Sequence, residues 1–140
     1  MAENYMELKV LSDSKNEAFA RNVVAAFCVE LNPTVDQIDD IKTAVSEAVT
    51  NCVVHGYAKG EPGEITIKAH IQNATLHIEV SDSGVGIADI SEALQPYFTT
   101  RPDEERSGMG FTVMETFMDS LEVTSDPRVG TTVRMTKCLG

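Results

Sequence analysis

No stretch of this 140-residue chain approaches the roughly 20 consecutive apolar residues that a membrane-spanning helix needs. Its first residues also lack the basic and apolar regions of a secretory leader, so a cytoplasmic protein without a membrane partner is expected. Cysteine is scarce. Cys28, Cys52 and Cys138 are odd in number and far apart, which argues against a disulfide framework and for a reducing compartment. Cys28 and Cys52 lie among apolar residues and read as small core side chains. Basic residues are few: 11 Lys and Arg against 22 Asp and Glu leave a formal charge of -11. Direct nucleic-acid binding, which rests on neutralising phosphates, is therefore disfavoured. Repeats, low-complexity tracts and long linkers are missing, and a single domain over residues 1–140 is expected. Two phosphate-binding signatures are absent as well. There is no Gly-Lys-Ser/Thr loop, and Asp89 stands where a dinucleotide turn beginning Gly84-Val85-Gly86 needs its third glycine.

What is present alternates between strands and amphipathic helices. Tyr5 to Leu11 puts Met6, Leu8 and Val10 on one side, as a strand does. Ser14 with Glu17 reads as a capping box opening a helix whose stripe is Phe19, Val23, Ala26, Phe27 and Leu31. Asn32-Pro33 ends it, and Thr34 with Gln37 forms a second box. The following helix buries Ile38, Ile41, Val45, Ala48, Val49 and Cys52 and stops at Gly56. Glu64–Ile71 and Thr75–Asp82 form a hairpin turning at Asn73. A short helix over 88–94, a polar loop over 97–109, a helix over 110–118 and strands over 121–125 and 131–137 complete the chain. Met114 and Met118 read as core packing.

Several polar groups fall where solubility alone does not put them. Glu47, Asn51 and His55 lie beside the apolar face of their helix, so they line a cleft at the core's edge. Four residues span roughly 6 Å of helix axis, close enough for Asn51 to hold a metal ion while Glu47 manages a proton. On the hairpin, Leu76, Ile78 and Val80 share their inward parity with Asp82. An ionised carboxylate in that position needs a dedicated hydrogen-bond donor. Gly84 and Gly86 just after it let backbone lie close against a flat ligand, and the exocyclic amino group of adenine is such a donor. Thr131, in Gly-Thr-Thr, is placed to help Asp82 hold the base. Ser107-Gly108-Met109-Gly110 opens a helix, where exposed amides and the positive dipole end favour phosphate oxygens. Arg101 and Arg106 flank that turn and either reaches a terminal phosphate, with ion pairing to Asp103, Glu104 or Glu105 as the plain alternative. A strongly acidic chain that binds ATP also needs a divalent cation to offset repulsion.

The ordered set Glu47-x-x-x-Asn51, Asp82-x-Gly84-x-Gly86, Phe98-Thr99-Thr100 and Gly108-x-Gly110 resembles the Bergerat ATP-binding superfamily. Ser46 to Asn51 with His55-Gly56-Tyr57, and Gln95 to Pro102 followed by Arg106 to Phe111, are similar to the anti-sigma serine kinases of spore-forming bacteria. The resemblance covers essentially the whole chain. It implies an α/β two-layer sandwich (α+β) whose mixed, mainly antiparallel sheet is covered on one face by helices. It further implies that ATP or ADP binds with Mg²⁺ on Asn51, that Glu47 acts as base on a serine hydroxyl, and that Asp82 and Thr131 hold adenine. Residues 97–109 become an ATP lid, with Thr99, Thr100, Ser107, Gly108, Met109 and Gly110 at the nucleotide and Arg106 compensating charge in transfer. The implied partners are an RNA polymerase sigma factor of the sporulation sigma F type, an anti-anti-sigma protein phosphorylated on serine, and a second copy of the chain. Arg21, on the polar side of the first helix, is a candidate partner contact. Cys52 departs from the small residue, such as Ala, expected after Asn51. A stress-response-type anti-sigma kinase and a detached histidine-kinase ATP-binding domain are the alternatives. The latter class usually carries Asn where Glu47 stands.

Overall fold

The computed structural model describes residues 3–56, 63–84, 110–126 and 130–139. Strands β1 (Asn4–Leu11), β2 (Glu64–Gln72), β3 (Thr75–Asp82), β4 (Ser120–Asp126) and β5 (Gly130–Cys138) form one sheet in the order β1-β2-β3-β5-β4. All four pairings are antiparallel, so the described sheet is purely rather than mainly so. Helices α1 (Lys15–Phe27), α2 (Val35–Asn51) and α3 (Gly110–Phe117) cover one face. A 3-10 turn, Cys28–Leu31, follows α1, and a π-turn, Cys52–Gly56, continues α2. The α+β sandwich is as expected. No helix among the described residues is long and apolar enough to cross a membrane.

The period of two in the strands decides what faces the helices. Ile65, Ile67, Ala69 and Ile71 of β2, Leu76, Ile78 and Val80 of β3, and Val133 and Met135 of β5 are buried. On α2 the buried row is Ile41, Ala44, Val45, Ala48, Val49, with Cys52 just beyond. Each large aliphatic side chain so removed from water contributes roughly 1.5–3 kcal/mol. Met114 and Met118 join this core. Ile38 stays half-buried and Ala44 takes a place in the row instead. Helix α2 is central, packing against α1 on one side and α3 on the other. Lys137 reaches in from β5 to the Phe117 carbonyl at the end of α3 (2.6 Å) and to Asp40 of α2 (3.4 Å), where a cation suits the negative end of the helix.

The second capping box forms as read: the Thr34 side chain accepts from Gln37 N–H at 3.1 Å and Gln37 returns the bond to Thr34 N–H at 2.9 Å. The first does not. Ser14 is already helical (φ -57, ψ -26) and its side chain caps nothing. Asp13 takes the role, accepting from Lys15 N–H on Oδ1 and from Asn16 N–H on its carbonyl, and Glu17 pairs with Arg21 instead. The buried stripe of α1 is also rotated from the expected one. Ala20, Val24, Ala25 and Cys28 are buried, Ala26 is exposed, and Phe19 is 51% exposed. Small side chains let α1 and α2 approach closely, and bulky phenylalanine is displaced to the rim.

The β2–β3 turn has both central residues in the left-handed region, Asn73 at φ 54 and Ala74 at φ 58. Asparagine tolerates this; alanine does not, because its Cβ crowds the backbone. Ala74→Gly is therefore expected to stabilise the protein by about 1 kcal/mol, read as a higher urea midpoint with an unchanged slope. A lower midpoint would mean that the turn is not under this strain.

Candidate functional site

Six of the singled-out residues fall on elements that pack together. Helix α2 carries Glu47 and Asn51, both half-buried beside the row Val45, Ala48, Val49. Helix α2 packs against β3 and α3, and its terminal π-turn packs against β3 and β5. Asp82 closes β3, Gly84 follows it, Thr131 lies near the start of β5, and Gly110 begins α3. Gly86, Thr99, Thr100, Arg101, Arg106, Ser107, Gly108 and Met109 lie outside the described residues, as do the short helix over 88–94 and the lid over 97–109.

Asp82 is 7% exposed because it occupies the inward parity of β3. Its Oδ1 accepts from Gly84 N–H at 2.9 Å and more weakly from Thr131 N–H at 3.4 Å. Two backbone N–H donors are thus in place at one oxygen of the carboxylate. Cys52 is 2% exposed in the π-turn that packs against β3, and burial, with the nearby Asp82 charge adding to it, raises its thiol pKa well above the ordinary value. Thr131, 5% exposed, shares its hydroxyl with Ser125 Oγ at 2.9 Å, which fixes the start of β5 against β4.

Gly130 makes that arrangement possible. Its φ is +122, and a Cβ there would overlap the Asp82 carbonyl oxygen and lie 2.8 Å from the Ser83 Cα. Only glycine adopts this conformation without strain and lets the two backbones touch. Gly130→Ala is expected to cost about 2–5 kcal/mol, roughly 1–2 from conformation and 1–3 from displaced backbone. Urea unfolding measures it, and a variant as stable as its parent would mean that β5 yields freely. The Gly-Thr-Thr run drew attention to hydroxyls; the requirement for glycine comes from contact with a strand 48 residues away and has no local signature.

A groove of about 580 Å³ runs beside α1 and α2, lined among others by Arg21, Lys42, Ser46 and Glu47. Arg21 is not a free-standing surface charge: it pairs with Glu17 at 2.8 Å, with 38% of its side chain exposed. Lys42, which the sequence reading passed over, adds a second cation to the groove, three residues before Val45 on the same helix. Asp82 does not line it.

Among the described residues no three His, Cys, Asp or Glu side chains cluster as a metal site. The donor chemistry fits a magnesium nucleotide all the same. Mg²⁺ is held by one or two protein oxygens together with substrate phosphates and water rather than by an all-protein cage, and the half-buried Asn51 carboxamide has one neutral oxygen of that kind. A buried carboxylate flanked by glycine at Gly84 suits a flat base that presents an amino group.

Comparison with known proteins gives the family. The histidine kinase-like ATPase domain family matches residues 11–137. An anti-sigma F factor of a Thermoanaerobacter species is 64% identical over 98% of this chain and 95% of its own length. One from Caldanaerobacter subterraneus subsp. tengcongensis is 62% identical over the same shares. Among solved structures, the RsbU and RsbW domains of a Mycobacterium tuberculosis protein share the fold with a TM-score of 0.68 at 19% identity. That match covers 96% of this chain and 31% of the mycobacterial one.

Proposed function

Because the chain belongs to the histidine kinase-like ATPase domain family, and within it to the anti-sigma F factors, we propose that it is an ATP-dependent serine kinase that holds a sigma factor. In this reading the single domain binds an RNA polymerase sigma factor of the sigma F type and keeps it inactive. It transfers the γ-phosphoryl group of Mg·ATP to a serine of an anti-anti-sigma protein. It works as a homodimer in the cytoplasm, and Arg21 contacts a partner.

One observation supports the reading most. A carboxylate ends an otherwise apolar strand face and is held by the backbone N–H groups of Gly84 and Thr131. It lies under the helix that carries Glu47 and Asn51. Asp82 receives the adenine amino group, with Thr131 beside it and Gly84 and Gly86 giving the base room. Asn51 would hold Mg²⁺ through its carboxamide oxygen, and the ion would offset the phosphate charge against an acidic protein. Serine is a weak nucleophile at neutral pH. Glu47 takes its proton as the hydroxyl oxygen bonds to the γ-phosphorus and the bond to the departing ADP breaks. Thr99, Thr100, Ser107, Gly108, Met109 and Gly110 enclose the phosphates, and Arg106 meets the charge that develops on them.

Glu47 favours this over the histidine-kinase reading, since a histidine acceptor needs no carboxylate base of this kind. Incubation with γ-labelled ATP and an anti-anti-sigma protein should place acid-stable label on serine. Acid-labile label would shift the assignment to a histidine kinase. A pull-down with ATP that returns a stress-response sigma factor would shift it to the sister kinase.

A further inference from the structure

His70 of β2 and His77 of β3 stand directly opposite each other in the antiparallel register. Buried Ala69 and Ile71 flank the first, and buried Leu76 and Ile78 flank the second. The period of two therefore turns both imidazoles onto the sheet face that points away from the helices. Their rings lie parallel, with centroids 4.3 Å apart and planes 6° from each other. The two-residue turn at Asn73-Ala74 sets this register, so the rings meet whenever the hairpin forms.

We propose that this pair is an acid-sensitive clasp on the β2–β3 hairpin, closed while at most one ring is charged and strained once both are protonated. The inference stands apart from the nucleotide reading. The groups around the pair give a second proton little relief. A cavity of about 300 Å³ beside the rings is walled in part by Lys68 of β2, Glu79 of β3, Arg134 of β5 and Glu122 of β4. Both of these carboxylates already face Arg134, Glu79 at 3.0 Å and Glu122 at 3.8 Å. Glu7 of β1 lies 3.9 Å from Lys9, and Lys68 adds a positive charge on the strand of His70. Tyr5 of β1 opposes His70, Cys138 of β5 opposes Thr75 beside His77, and neither is a carboxylate.

The sign follows from the same geometry. Partial burial holds the pKa of His77 below its ordinary value of 6.5, and the charge of His70 lowers it further. The unfolded chain then binds the proton better than the folded one. This contribution to stability is complete above pH 6.5 and is lost as the pH falls through the folded-state value. Two unit charges at the separation of these rings, screened as in water, oppose each other by about five-fold in the folding constant.

The test is a double-mutant cycle on the full chain, with His70→Gln, His77→Gln and the pair together, read by urea unfolding at about pH 8 and about pH 5. Glutamine keeps a polar side chain at these half-buried positions and carries no charge. The coupling between the two sites should move about five-fold toward repulsion at the lower pH. A coupling that is the same at both overturns the proposal. Proton NMR of the imidazoles supplies the second readout. His77 should titrate at higher pH in His70→Gln than in the parent. An unmoved midpoint overturns the proposal as well, because burial by itself then accounts for His77.

Discussion

Glu47→Gln is expected to slow phosphoryl transfer by about 10²–10⁴-fold, the usual contribution of a positioned proton acceptor, while nucleotide affinity changes little. Glutamine has almost the same shape and keeps hydrogen-bonding capacity, so the half-buried position on α2 should tolerate it. What it cannot do is accept a proton from serine. The distinguishing measurement is a single turnover at saturating ATP and acceptor, paired with a calorimetric Kd for ATP. A rate close to that of the parent would remove Glu47 from the chemistry. A large loss of ATP affinity would instead make it part of the binding site. Glu47 lines the groove that also holds Arg21 and Lys42; if an acceptor reaches it there, a defect confined to transfer is the expected outcome.

The second large effect is expected at the other end of the nucleotide. Asp82→Asn should weaken ATP and ADP by a similar factor, about 10- to 100-fold, as expected for losing a hydrogen bond to a charged group. The mechanism is directional. Gly84 N–H and Thr131 N–H both point at Oδ1, so the amide oxygen of asparagine is drawn to that position. Its NH2 group then takes the place of Oδ2 and meets the adenine amino group donor to donor. Because both nucleotides carry the same base, the ATP-to-ADP preference should stay constant. Equal affinity in wild type and variant would take Asp82 out of the base site, and a changed ATP-to-ADP ratio would argue that it senses the phosphates.

Much of the frame was legible in the residues because its causes are local. Thr34 and Gln37 are three apart, and their reciprocal bonds need nothing but the helix they open. The β2–β3 hairpin follows from two alternating runs around Asn73, and parity alone carries Asp82 onto the buried face of β3. The resemblance to Bergerat-type ATPases rested on ordered motifs, and the family match over residues 11–137 bears it out. Local reasoning failed where two good local answers competed. Ser14 and Asp13 both suit a helix start, and the choice between them depended on how the chain leaves β1. On α1 the large apolar residues read as the core stripe, but closeness to α2 favoured Ala20, Val24 and Ala25 over Phe19.

Pattern and spacing, then, determined the elements, the family and the helix that bears Glu47 and Asn51, since these depend on neighbours within a few positions. Tertiary structure alone decided that Gly130 must be glycine, because the Asp82 carbonyl occupies the space of a side chain. That is a contact between segments 48 residues apart. Such contacts exist only after hydrophobic burial has pressed the end of α2, the end of β3 and the start of β5 into one corner.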